Sequence, residues 1–124
     1  MASLAPVSKE GFGIVPELAA GAFVVRLSGS CDSQTTALLD RFLGDLHVAV
    51  LRASTKAVTV DCENLYFMNS SAVKCFVTWL AKIKSLAPAE RYHVTVRTNR
   101  FLAWHQRSFG SISRSAPEVI TIAS

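Results

Sequence analysis

Residues 57–80 read AVTVDCENLYFMNSSAVKCFVTWL. Ala57–Asp61 alternates and is β-branched, so it predicts a short buried strand. A second apolar patch, Leu65–Met68, follows across a predicted loop, and then Asn69-Ser70-Ser71 opens another apolar run. At about 100° per residue, Phe76, Leu80, Ile83 and Ala87 gather on the side of Ala72, while Lys74, Thr78, Ala81 and Ser85 fall opposite. That is one amphipathic helix ending before Pro88, with a wide apolar face for a sheet. Asn69 or Ser70 can cap it by accepting a bond from a first-turn N–H, worth about 1 kcal/mol. One cap needs one polar side chain, and three stand here in a row. The junction also lies at the carboxyl end of a strand, where open α/β sheets place their sites. A hydroxyl there is well placed to accept a phosphate, because free N–H groups and the helix dipole stabilise the added charge.

Working outward, Phe12–Leu18 predicts a strand that Pro16 confines to an edge. Gly21 supplies a turn, and Ala22–Ser28 predicts the returning strand of a hairpin. After Gly29, Asp32 or Ser33 is placed to cap a helix carrying Leu38, Leu39, Phe42, Leu43, Leu46 and Val50 at helical spacing, with Gly44 inside it. Downstream, YHVTVR predicts a strand. Asn99 caps a short helix, FLAWHQRSF, which Gly110 ends, and VITIA is a last strand. The order β-β-α-β-α-β-α-β predicts a single α/β domain over residues 1–124, with residues 1–9 a loose tail. Its sheet is expected to be mixed and mostly parallel, of about four to five strands with helices packed against it.

Composition narrows the function. Of 124 residues, 50% are hydrophobic and 18% charged, which argues against disorder. There is no apolar run long enough for a membrane span and no basic-then-apolar leader, so a cytoplasmic protein is expected. Cys31, Cys62 and Cys75 form no CxxC pair and suit a reducing compartment. Cys31 and Cys62 fall in predicted loops and are expected to be inert. His47, His93 and His105 have no metal-ligand spacing and are expected at the surface or core edge. No glycine-rich phosphate loop is present, so no cofactor or metal is expected. Asn69 and Ala72 flank the serine pair where a hydrolase nucleophile elbow needs glycines, so the chain is not expected to be an enzyme. Residues 1–50 carry three Lys/Arg and five Asp/Glu, residues 51–124 ten and four. The basic residues are dispersed without interleaved aromatics, which disfavours nucleic acid.

The strand ending in Asp61, followed by Phe67-Met68-Asn69-Ser70-Ser71-Ala72 at a helix start, resembles the STAS domain of bacterial anti-sigma factor antagonists. Gly29-Ser30-Cys31-Asp32 is similar to that family's Gly-x-x-Asp turn. The resemblance spans roughly residues 12–122 in the same element order. It implies a non-enzymatic regulator of transcription that binds a cognate anti-sigma factor or serine kinase. Phosphorylation at Ser70 (Ser71 as the alternative) would abolish that binding, and a PP2C-type phosphatase would restore it. The implied docking surface is Asp32, Asn69, Ser70, Ser71 and Lys74. A homodimer, without membrane insertion, is compatible with it. Asn69 stands where the family has Asp, and Ala72 where it has Gly, which puts a methyl where a partner backbone is expected to approach. The alternative implied is a STAS scaffold that assembles a signalling or transport complex without a phosphate switch.

Overall fold

The computed structural model describes residues 4–19 and 21–123. The sheet has six strands in chain order: β1 (Val7–Lys9), β2 (Phe12–Ala19), β3 (Ala22–Cys31), β4 (Ala57–Met68), β5 (His93–Arg97) and β6 (Ile120–Ala123). The pairs β1–β2 and β2–β3 are antiparallel, and the other three are parallel. Three helices supply the crossovers: α1 (Thr36–Ala53), α2 (Ser70–Lys84) and α3 (Ala103–Ser115). The chain therefore has the expected mixed α/β architecture. The strand beyond expectation is β1, formed by Val7–Lys9 where a loose tail was expected; residues 1–3 of that tail lie outside the described residues. Pro16 lies in the part of β2 that β1 does not cover, so its missing N–H costs no ladder bond there.

Parallel strands covered on both faces read as continuous apolar runs. These alternate instead. Phe23, Val25 and Leu27 are buried, as are Val58 and Val60, and Val94 and Val96. Arg26, Arg97 and His93, from the intervening positions, are exposed. The helices thus cover one face. The open face is solvated by rows of polar groups: Arg26 pairs with Glu17 at 2.7 Å, and Arg97 with Glu63 at 3.5 Å. Under the helices, Trp79, Phe76, Phe12, Phe109, Leu46 and Ile83 are almost wholly buried, each contributing about 1.5–3 kcal/mol of burial free energy. Trp79, on the edge of the predicted apolar face, belongs to this core. Its indole N–H donates to Tyr92 Oη at 2.8 Å.

Two predicted boundaries move. The segment 62–68, read as a loop, continues β4 and pairs with β3 through register shifts, Asn64 opposite Ser28 and Phe67 opposite Ser30. The α3 helix runs through Gly110 to Ser115 because Ile112 and Ala116 beyond it are buried. Burial of those two side chains outweighs the roughly 1 kcal/mol cost of a helical glycine.

Candidate functional site

The serine pair sits where β4 turns into α2. Asn69 is extended (φ −77°, ψ 173°) and caps the helix, its Oδ1 accepting from Ala72 N at 2.8 Å. Its own N–H donates to Cys31 O at 3.0 Å, which ties the start of α2 to the end of β3. Thr36 links the same two loops. Its hydroxyl donates to Asp32 O at 2.7 Å and lies 3.3 Å from Asn69 Oδ1. Asp32 makes a reciprocal pair of bonds: its N–H donates to Thr35 Oγ1, and its Oδ1 accepts from Gln34 N. The expectation that Asp32 or Ser33 caps α1 fails: the N-cap position is Thr35, and Asp32 shapes the turn before it.

The expected docking residues therefore share one end of the domain. Ser70, Ser71 and Lys74 are exposed, while Asp32 and Asn69 are half-buried in the bonds that fix the turns. Among the described residues, the Ser70 and Ser71 hydroxyls have no hydrogen-bond partner, and neither do their backbone N–H groups. Two free donors, the positive end of a 15-residue helix and the ammonium of Lys74 one turn on form an electropositive setting for an acquired phosphate. Ala72 is fully buried, so its methyl points into the core and not, as expected, toward an approaching partner.

In the strand end before the serines, Tyr66 and Phe67 are 57% and 49% exposed; in the loop before α3, Phe101, with the Arg100 guanidinium 5.2 Å from its ring centre, is 82% exposed. The sequence reading took Leu65–Met68 as one apolar patch. Its signal was a split run, in which Leu65 and Met68 are buried and the two rings between them face out.

A further residue was missed. His105, expected near the surface, has 0% exposure. Its Nδ1 accepts from Asn99 N at 3.0 Å, and its Nε2 lies 2.8 Å from Leu65 O. A backbone N–H donor at Nδ1 and a carbonyl acceptor at Nε2 place the ring proton on Nε2. Asn99 Nδ2 adds a bond to Glu63 O at 3.1 Å. Both reach the edge of β4 that extends past β5, so they replace a missing neighbouring strand.

The three thiols are buried. Cys31 ends β3 and Cys62 lies inside β4, not in loops, and both are wholly buried. Burial raises the thiol values of Cys31 and Cys62 and pushes Cys75 up to about 11. Among the described residues no group of His, Cys, Asp or Glu could hold a metal, and no helix is long and apolar enough to cross a membrane.

One histidine gives a pH prediction. The chain Trp79 N–H, Tyr92 O–H, His47 Nδ1 (2.7 Å for the second bond) needs an unprotonated Nδ1. Burial, then the charge of Lys82, lowers the His47 value from its usual 6.5. The unfolded chain thus takes this proton at a higher pH than the fold does. The contribution is fully present above about 6.5 and is lost as pH falls toward the folded value. Thermal melts from about pH 7 to 5 should show His47→Gln losing stability less steeply than the parent.

No family model matches the chain, and no curated protein matches it in sequence. Solved structures do match it, and they define a STAS-like fold of the kind found in anti-sigma factor antagonists. An anti-sigma factor antagonist from Mycobacterium paratuberculosis superposes with a TM-score of 0.64 at 19% identity, over 90% of this chain and 85% of that one. The anti-sigma factor antagonist SpoIIAA in its unphosphorylated form gives 0.61 at 18% identity, over 90% of this chain and 88% of its own. At these identities the likeness is one of fold.

Proposed function

We propose that this chain is a partner-switching regulator that binds a cognate anti-sigma factor or serine kinase in the cytoplasm and is released by phosphorylation of Ser70. The observation that carries this reading is the exposed, unpartnered Ser70 hydroxyl at the first position of α2, beside two free N–H groups. Asp32, Asn69, Ser71 and Lys74 frame it, and Tyr66 and Phe67 add an apolar rim. A phosphate brings about −1.5 to −2 charges, which helix and lysine stabilise in the free protein but a docked apolar surface must desolvate. The chain itself performs no catalysis; kinase and PP2C-type phosphatase supply the chemistry.

Protein isolated from its own cells is expected to carry phosphate on Ser70, located by mass spectrometry, with Ser71 as the alternative. Ser70→Asp should weaken partner binding by roughly a hundredfold, and Ser70→Ala should bind but no longer respond. Phosphate elsewhere, with Ser70→Ala still switching, overturns the assignment. One observation favours a second reading, a scaffold with constitutive contacts: Asn69 gives no carboxylate beside the acceptor for a kinase to use. Binding unchanged in Ser70→Asp would select it.

A further inference from the structure

The inner side of α1 buries Leu39, Phe42, Leu43, Leu46, Ala49 and Val50. An amphipathic helix should then be polar on its outer side. It is mostly so: Leu38, Arg41, Asp45, Val48 and Arg52 follow at steps of three and four, a stripe of three charges with half-buried Leu38, and Val48 at 44% exposed, among them. The stripe is one wall of a groove of about 620 Å³, whose other wall is Leu4, Ala5 and Val7. Gly44 lies on the same side. Its backbone does not require glycine, and an added Cβ would meet nothing within 4 Å. Inside the monomer it only costs about 1 kcal/mol relative to alanine; against a second backbone it permits close approach.

We propose that this face pairs with α1 of a second copy, antiparallel about a two-fold axis that runs between the two helices at the level of Leu43. In that register, residues equally far before and after Leu43 face each other. Leu38 meets Val48 of the second copy, and Arg41 meets Asp45 of the second copy, each contact occurring twice. A parallel pairing would set Arg41 against Arg41 and is disfavoured. Among the described residues neither Arg41 nor Asp45 is in an ion pair. Basic before acidic at i, i+4 is also the weaker order within one helix, so both charges gain more across the axis. Arg52 falls beyond the start of the second α1, by the turn that Asp32 shapes. Apolar against apolar and Arg against Asp is self-complementarity, the requirement of an isologous dimer. The occupant is therefore a second copy and not a foreign helix. No residue of α2 lines the groove.

Sedimentation equilibrium of the intact protein tests this. A monomer–dimer equilibrium is expected. Arg41→Glu and Asp45→Lys should each weaken it about tenfold or more, because each sets like charges face to face twice. The double variant should restore it. All of these positions are exposed, and melting curves verify that the variants are folded. A chain monomeric up to about 1 mM overturns the proposal. So does a dimer indifferent to the single reversals, or one that the double reversal fails to recover.

Discussion

Gly29→Ala should cost about 3 kcal/mol or more, read as a lower urea midpoint with an unchanged slope. Two effects add. Gly29 has φ +84°, in the left-handed region, where a non-glycine residue costs roughly 1–3 kcal/mol. A Cβ there would also overlap the carbonyl of Gly11. That carbonyl cannot retreat cheaply, because it accepts the bond from Ser30 N at 3.1 Å that closes the β1–β2 turn onto β3. Gly29 also sits at a register shift between β3 and β4. Relief of the clash would displace Cys31 and Asp32, and with them the carbonyl that holds Asn69. The variant should therefore lose partner binding as well as stability. Gly11→Ala, with open space at its Cβ, tests the difference: it bears the φ penalty alone and should be the milder of the two.

The second large effect is expected at His105. His105→Phe keeps a ring in the same space, packed edge-on against Trp104 and Phe109, but removes both hydrogen bonds. Leu65 O and Asn99 N then lose their partners, at about 1–3 kcal/mol for each group left buried and unsatisfied. A total loss of roughly 2–6 kcal/mol follows. The loss is directional, because Leu65 lies in the strand that leads to Ser70. Hydrogen exchange should show 62–68 and the first turn of α2 losing protection before the β4–β5 ladder at 57–61 does. Uniform loss of protection across the sheet would show that the ring only fills space.

The βα junction was legible because its signals are local. Strand alternation, three polar residues and a helical stripe occur within 24 residues, and Asn69 caps as its residue type predicts. The hairpin and the order of the crossovers followed from similar short patterns. What escaped the sequence depends on distant neighbours. Glu63 and Asn64 are poor strand formers, yet β4 runs through them because β3 is long enough to resume pairing at Asn64, past a register shift at Glu63. His105 bonds a carbonyl 40 residues away, and nothing in FLAWHQRSF announces that contact. Asp32 looked like a helix cap since Asp commonly is one, but the turn it shapes precedes the helix by a few residues. Exposure of Tyr66 and Phe67 escaped as well, because an unbroken apolar run does not say which of its members the core has room for.

Strand order in the sheet equals chain order, from β1 to β6. Each newly synthesised strand therefore finds its partner already made, on the segment just before it, and never waits for one still to come. Growth is vectorial, like laying planks from one side of a deck. Non-local pairing is what slows most parallel sheets, and here every loop to be closed spans one helix at most. Ser70 lies past the midpoint of that progression, and the bond from His105 to Leu65 O reaches the strand before it only once α3 has docked. A ribosome-bound chain stalled before His105 would hold the turn at Asn69 through Cys31 and Thr36 and leave the Leu65 carbonyl still open.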